Sequence, residues 1–314
     1  MAGPVATLSP ASGLSGSGSG PKRRRRERIA SILLGAAAAA TVLVSVAIVA
    51  SLIREAVSFI TAIDLAQLFE IGWFPRRGLF DIRTLVAGTL VVTGVALLVA
   101  TPLGLGAAIY LSEYARPGAR KILKPILEVL AGVPSVVIGF FAIAVITPDL
   151  LQRLSGNFSF FNQAAAGLGV GILTLPLIAS VAEDAMRAVP ASLREASYGL
   201  GGRKMATTVR VVLPAAVSGI VAAVIVGASR AVGETMVVAI ASGATGGSLF
   251  SLDLTEPGQT MTAAMAALGA GTDQVKGADA AFQSLFFIGL LLFLITLALN
   301  LISSRFVRRV QQRY

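Results

Sequence analysis

The sequence predicts an all-α integral membrane protein with six transmembrane helices. Hydrophobic residues make up 55% of the chain and charged residues only 13%, about half the charged fraction of an average soluble domain. The apolar residues occur in long runs, and a bilayer core requires about 20 predominantly apolar residues per helix. Basic residues cluster between these runs, which is the arrangement that sets the orientation of a membrane protein.

Six apolar runs are long enough to cross a bilayer, and six crossings place both termini on the same side. The runs cover residues 29–53, 85–111, 122–147, 164–182, 211–242 and 281–303. They divide the chain into a disordered basic tail (1–28), a first span with its outer loop (29–84), a core of five spans (85–303) and a basic C-terminal tail (304–314).

The first run follows a segment rich in Gly, Ser and Pro and a block of basic residues. Residues 1–20 carry almost no large apolar side chain, so they cannot offset the entropy cost of ordering and we expect them to be disordered. The run of about 25 residues exceeds the apolar core of a signal peptide, and no cleavage site follows it. We therefore expect a retained helix, with the arginine block as its cytoplasmic anchor rather than as a nucleic-acid site.

The distribution of Lys and Arg predicts that both termini lie in the cytoplasm. With the N-terminus inside, 19 of the 26 basic residues fall in inner segments and six in outer segments, and the last, Arg230, lies within the fifth run. This excess is the positive-inside bias of membrane proteins. The net charge of +10 therefore reflects the orientation of the chain in the membrane rather than nucleic-acid binding.

Two outer loops carry structural signals of their own. Residues 59–69 predict a short amphipathic interfacial helix, with Trp73 and Phe74 at headgroup depth. In the second outer loop, residues 259–265 predict a helical or re-entrant element. Pro102, Pro134 and Pro176 lie within predicted spans, and neighbouring helices must satisfy the backbone groups that these prolines free.

The composition argues against an enzyme. The chain has no Cys and no His, which excludes disulfides and thiolate metal sites and removes the commonest general base and metal ligand. It also lacks the Gly-x-x-x-x-Gly-Lys-Ser/Thr loop that binds ATP phosphates. We expect no catalytic residue, no cofactor and no metal site, and any ATP hydrolysis belongs to a separate chain.

The largest inner loop, residues 183–210, contains a short polar helix. Ser192 precedes Glu195 at the spacing of a capping box, so we expect a helix over 192–198, and Gly201 allows the tight turn that ends it. Small side chains on this helix suit insertion into a partner's groove, with charged contacts at the rim. The helix and its turn contain Arg194, Glu195, Ala196, Ser197 and Gly201, and Leu213 and Pro214 follow at the start of the fifth run. The alternative is an ordinary connector between spans.

The order and separation of Glu195-Ala196-Ser197, Gly201 and Leu213-Pro214 resemble the EAA loop of permease subunits in bacterial ABC importers. In that family the loop forms a helix that docks into a separate ATPase. Two positions depart from the usual pattern, since Ser197 stands where Ala is typical and Val211 where Ile is typical. Both changes preserve size or shape, so the resemblance implies a coupling loop.

Arg230 and Glu234 are the candidate residues of a translocation path. They lie four positions apart within the fifth run, so they share one helix face and can pair. A charge at mid-bilayer costs roughly 2.5–3.5 kcal/mol on insertion scales, and such residues normally face a cavity or a partner. The planar guanidinium suits a phosphate oxyanion because its donors match two oxygens. Alternatively, the pair locks this helix to a neighbour.

Three segments resemble the phosphate ABC-transporter permease of the PstC type. They are Gly88–Tyr114, Leu130–Phe141 and Arg230–Met236. The sister permease, PstA, carries a similar Arg-x-x-Gly-Glu-Thr motif usually followed by Ala-Pro, so the Met-Val-Val that follows here favours PstC. One departure is Ile138, where the family often has Tyr.

The resemblance implies the type I ABC importer (MetI-like) permease fold in the bacterial cytoplasmic membrane. It also implies a PstA-like sister permease, two copies of a PstB-like cytoplasmic ATPase and a PstS-like extracytoplasmic phosphate-binding protein. Three rival classes remain: a permease for another oxyanion such as sulfate or molybdate, an ion-driven secondary transporter, and a membrane enzyme.

Overall fold

The computed structural model of the chain describes residues 21–69, 71–243, 247–270 and 279–310. The expected disorder of residues 1–20 and the last four residues of the predicted C-terminal tail lie outside the described residues. The chain divides into two compact units, with the boundary between Ser51 and Leu52. Every contact reported below lies within the second unit.

The described residues are helical apart from their loops and one small sheet. The helices are α1 (Pro21–Ala62), α2 (Ile82–Ile109), α3 (Pro117–Ala131), α4 (Ser135–Phe141), α5 (Gln152–Leu154), α6 (Gln163–Arg187), α7 (Ala191–Gly199), α8 (Lys204–Thr207), α9 (Leu213–Val232), α10 (Met236–Ala241), α11 (Met261–Gly269) and α12 (Asp279–Val310). Three π-helical segments, Tyr110–Tyr114, Ala142–Leu151 and Thr208–Val212, extend α2, join α4 to α5 and join α8 to α9. Two 3₁₀ turns cover Leu65–Phe69 and Pro75–Arg77, and strands β1 (Trp73–Phe74) and β2 (Leu79–Phe80) pair antiparallel.

Within the described residues, six helices are long and apolar enough to cross a membrane, which confirms the predicted number of spans. They are Arg25–Ala62, Ile82–Tyr114, Ser135–Leu154, Gln163–Arg187, Lys204–Val232 and Ala280–Arg305. The first helix begins at Pro21, so the prediction of a disordered tail is wrong for residues 21–28. Arg and Lys are good helix formers, and they continue the helix beyond its apolar part.

The predicted third span, 122–147, is wrong in its bounds. Residues 117–131 form the separate helix α3, none of whose side chains is buried, and the span begins at Ser135. The chain breaks at Pro134 because a proline lacks the N–H that would continue the helix and disfavours helical geometry at the preceding residue. Charged residues recur along the first three turns of α3, which makes this helix amphipathic.

The predicted fifth span, 211–242, is also wrong at its end. Helix α9 ends at Val232, and the chain resumes as the short buried helix α10 at Met236. Gly233 lies at the break, and glycine is among the poorest helix formers. This break places Arg230 and Glu234 on either side of a helix end.

The loop between α1 and α2 folds back onto the rest of the second unit. Helix α1 continues to Ala62, and the 3₁₀ turn Leu65–Phe69 follows it, so the predicted interfacial helix 59–69 is wrong. Trp73 is fully buried, and its ring lies edge-on to Phe80 at 5.7 Å. Since the β-hairpin folds Trp73 and Phe80 into one apolar cluster with Phe59, the expected headgroup anchor is an internal packing residue.

The centre of the second unit is the packing of α2 on α6. Gly171 approaches the backbone of Ala96 so closely that a Cβ would lie 3.1 Å from its carbonyl oxygen, and a Cβ on Gly167 would lie 2.6 Å from that of Val95. Small residues allow membrane helices to approach in this way. The predicted element at 259–265 is confirmed as helical, since α11 begins at Met261 and buries Met261 and Leu268.

Candidate functional site

The polar helix of the inner loop is present as α7, with one difference at its start. It begins after Pro190, whose side chain makes no capping hydrogen bond, so the predicted capping role of Ser192 is wrong. Proline presets the φ angle needed to enter a helix, and Ser192 lies exposed in the first turn. The predicted turn is confirmed, because Gly201 adopts φ 81°, a left-handed conformation that favours glycine.

Arg194 is held inside the chain rather than at the rim of a partner's groove. Its guanidinium donates to the carbonyl oxygens of Val189 at 2.6 Å and Met186 at 2.9 Å. It also pairs with the Glu113 carboxylate at 3.0 Å, and the Glu113 side chain is only 5% exposed. Arg194 therefore joins α7 to the end of α6 and to the π-helical end of α2.

Ser197 and Gly202 close the turn between α7 and α8. The Ser197 hydroxyl lies 2.8 Å from the Thr207 hydroxyl, and the Gly202 N–H donates to the Ser197 carbonyl at 2.9 Å. A Cβ on Gly202 would come within 2.7 Å of that carbonyl oxygen. The small residues expected to fit a partner's groove therefore also fix the chain's own turn.

An exposed surface remains on the outer side of this turn. Glu195 and Ala196 are exposed, and Leu200 and Met205 are exposed to 91% and 72%. Leu200 and Met205 were missed by the sequence reasoning, which concentrated on the charged and small positions. We call Glu195, Ala196, Leu200 and Met205 the coupling surface.

Leu213 and Pro214 connect the turn to α9. The π-helical segment Thr208–Val212 precedes them, and Pro214 cannot donate the N–H that a regular helix requires. Val212 is fully buried and packs in one cluster with Met186. The segment that joins the α7–α8 turn to α9 is therefore packed against α6.

A second ion-pair cluster lies nearby and was missed by the sequence reasoning. The fully buried Glu183 carboxylate pairs with Arg120 at 2.6 Å and with Lys124 at 3.2 Å, and Lys124 also pairs with Asp184 at 3.3 Å. Partial burial opposes the charge on Lys124, but its hydrogen bonds to the two carboxylates prevail and raise the Lys124 pKa. The available signal was the pair of cations four residues apart, which share one face of α3.

Arg230 and Glu234 form a long ion pair across the end of α9. Their closest nitrogen and oxygen atoms lie 3.8 Å apart, and the side chains are 53% and 6% exposed. The Glu234 N–H donates to the Ala231 carbonyl, and the Glu234 carbonyl accepts from the Thr262 hydroxyl at 2.7 Å. The Glu234 backbone is therefore held in place and its carboxylate is buried, whereas the guanidinium is half-exposed.

The segment after the break is packed tightly. A Cβ on Gly139 of α4 would lie 3.0 Å from the Cβ of Ile240, and one on Gly169 of α6 would lie 2.8 Å from Val237. Next to Arg230, the Ser229 hydroxyl is buried and has no hydrogen-bond partner among the described residues. Helix α10 is therefore closely packed against α4 and α6 beyond Glu234.

The coupling surface and the Arg230–Glu234 pair lie near opposite ends of one long helical span. The span from Lys204 to Val232 has 29 residues, which corresponds to about 43 Å at 1.5 Å per residue. Over the described ranges, no group of three or more Asp or Glu residues is placed to hold a metal ion. The arrangement can bind an anion at one end and a protein at the other.

Comparisons with known proteins identify the family of the chain. The sequence profile of the family described as "Binding-protein-dependent transport system inner membrane component" matches residues 100–314. The chain is 33% identical over 218 residues to a probable ABC transporter permease protein, YqgH, of Bacillus subtilis, which covers 69% of each chain. It is 30% identical over 266 residues to the phosphate transport system permease protein PstC of Haemophilus influenzae, covering 78% of this chain and 81% of that protein.

Solved structures show the same fold at low sequence identity. A bacterial ABC transporter involved in the import of the polysaccharide alginate superposes with a TM-score of 0.63 at 16% identity, covering 93% of this chain and 98% of that chain. The inward-facing MetNI methionine ABC transporter superposes with a TM-score of 0.53 at 18% identity, covering 73% and 94%. The predicted type I importer (MetI-like) fold is confirmed. The chain therefore belongs to the family of binding-protein-dependent transport system inner membrane components and is a permease subunit of an ABC transporter, not an enzyme.

Proposed function

We propose that this chain is the permease subunit of an ATP-driven importer of inorganic phosphate. The observation that carries the proposal is the geometry at the end of α9, where a half-exposed guanidinium lies 3.8 Å from a buried carboxylate. A guanidinium binds two oxygens of a phosphate at once. The similarity to proteins named PstC in several bacteria supports phosphate as the cargo.

Glu234 sets the strength of this site. When no anion is present, its carboxylate offsets the charge of Arg230. When phosphate arrives, the guanidinium has only a weak contact to give up, because 3.8 Å is longer than a hydrogen bond. The pair therefore holds the anion without trapping it, as a translocation path requires.

The coupling surface faces the cytoplasm in this proposal, as the positive-inside bias indicates. The loop 183–210 then contacts a PstB-like ATPase, and residues 85–303 form the core that pairs with a PstA-like sister permease. A PstS-like binding protein delivers phosphate from the opposite side. Both termini lie in the cytoplasm.

The mechanism follows from the contacts of α7. Closure of the ATPases displaces α7, and two links carry the movement into the membrane. The Arg194–Glu113 pair moves the end of α2, and the packed turn at Leu213 moves α9. Because Arg230 lies in the last turn of α9, the same movement changes the access of solvent to the anion site.

The test is ATP-dependent uptake by the complete complex in proteoliposomes, with labelled phosphate and labelled sulfate as competing substrates. We expect saturable phosphate uptake that requires ATP and the binding protein, and no sulfate uptake above background. Preferred uptake of sulfate or molybdate would replace phosphate as the cargo. Uptake without the ATPase would contradict the importer mechanism.

A further inference from the structure

The groove between α3 and α6 is charged at one end and mostly apolar at the other, as a phospholipid is. At the end of α6 a cavity of about 560 Å³ is lined by the cations Arg120, Lys121, Lys124 and Arg187 and by one carboxylate, Glu128. A second cavity of about 220 Å³ shares Leu111, Lys124 and Glu128 with the first. Its remaining lining is mostly apolar, namely Leu127, Ala131, Pro176 and Leu177 with the polar Ser180 and Glu183.

The direction of the groove follows from the ion pairs. Arg120 contacts Glu183 near the end of α6, whereas Ala131 lies beside Pro176, two turns earlier along α6. The helices therefore run antiparallel, with charged side chains at one end of the groove and apolar side chains at the other. An amphipathic ligand fits this gradient from its headgroup to its acyl chain.

Two of the cations are available to a ligand. Arg120 and Lys124 are committed to Glu183 and Asp184. Lys121 and Arg187 are exposed and pair with no other residue in the ranges that the structure covers. The charged end of the groove has one net positive charge. It contains four cations, Arg120, Lys121, Lys124 and Arg187, and three carboxylates, Glu128, Glu183 and Asp184.

We propose that this groove binds one anionic phospholipid, with its phosphate at Lys121 and Arg187 and an acyl chain along Leu127 and Ala131. Basic pockets between membrane helices bind anionic headgroups in this way. Free inorganic phosphate is also an anion but makes no contact with the apolar continuation, which favours the lipid. Exposed Ile122, Ile126 and Val129 on α3 give the lipid access from the bilayer. The inference does not depend on which anion the chain transports.

The experiment measures lipid retention by the assembled transporter. The complex is placed in nanodiscs of phosphatidylcholine with a minor fraction of phosphatidylglycerol of the same acyl chains, and bound lipid is counted by native mass spectrometry. We expect selective retention of phosphatidylglycerol. At about 1 kcal/mol per basic residue near a membrane surface, the Lys121→Gln/Arg187→Gln variant should bind it roughly thirtyfold more weakly.

Two further variants separate the proposal from general charge effects. Arg210→Gln/Arg305→Gln removes two exposed cations outside the groove and should leave retention unchanged. Ala131→Trp fills the apolar end without altering any charge and should reduce retention. Equal retention of the two lipids, or an unchanged Lys121→Gln/Arg187→Gln variant, would overturn the proposal. So would displacement of the lipid by inorganic phosphate, which would identify a site for the free anion.

Discussion

Two arginines, Arg194 in α7 and Arg230 in the last turn of α9, pair with glutamates in opposite ways. Arg194 is 20% exposed and combines the 3.0 Å Glu113 contact with two backbone carbonyls. Arg230 is 53% exposed and has one carboxylate at 3.8 Å. A buried pair that loses one partner costs about 3–5 kcal/mol, whereas an exposed pair contributes about 0–1 kcal/mol. The first arginine is therefore a structural link, and the second is free to bind a ligand.

Arg194→Ala should have the largest effect on stability. It leaves the Glu113 carboxylate buried without its partner, and it also frees the carbonyls of Val189 and Met186. We expect a loss of about 3–5 kcal/mol in the stability of the region, with release of the ATPase. Thermal unfolding and ATPase co-purification measure both effects. If Arg194→Ala unfolds and assembles like the wild-type chain, the distinction between the two arginines fails.

Gly202→Ala should have a smaller effect that is confined to the turn. The added methyl group meets the Ser197 carbonyl at 2.7 Å, so the turn must shift at a cost of about 1–3 kcal/mol. The matched control is Gly199→Ala, since a Cβ at Gly199 has nothing within 4 Å. We expect Gly202→Ala to hydrolyse ATP without phosphate uptake, and we expect Gly199→Ala to couple hydrolysis to uptake normally. Equal coupling in both would show that the turn does not transmit the movement.

Glu195→Lys should leave folding almost unchanged and act on the partner. Glu195 is exposed, and surface substitutions of this kind change stability by about 0.5 kcal/mol or less. We expect ATPase affinity to fall at least tenfold, about 1.4 kcal/mol, in a co-purification or surface-binding titration. Glu256→Lys, an exposed reversal in the loop before α11, serves as the control. Unaltered ATPase affinity would remove Glu195 from the coupling surface.

The sequence predicted the number of spans and the position of α7 because apolar run length and glycine turns are local signals. It did not predict the breaks at Pro134 and Gly233, because apolar residues lie on both sides of each break and each stretch therefore predicts one continuous span. The roles of Arg194 and Glu183 depend on partners 81 and 63 positions away, and such pairings become visible only in the fold. Trp73 was misplaced for the same reason, since its contacts come from Phe59 and Phe80.

Arg230→Ala should have the smallest effect on stability and a complete effect on transport. Its contact to Glu234 is loose and half-exposed, so we expect a change in stability of about 1 kcal/mol or less. Phosphate binding at the end of α9 is lost, because alanine offers no donor to the anion. Arg230→Lys is the matched variant, which keeps the charge but loses the two-point geometry, and it should retain partial uptake.

The most direct test compares Arg230→Ala with Arg194→Ala in the same reconstituted complex, by ATP-dependent phosphate uptake and thermal unfolding. We predict that Arg230→Ala abolishes uptake while thermal stability and ATPase binding stay close to wild type, and that Arg194→Ala lowers uptake, thermal stability and ATPase binding together. Normal phosphate uptake by Arg230→Ala, or a loss of stability equal to that of Arg194→Ala, would contradict the assignment of Arg230 to the anion path.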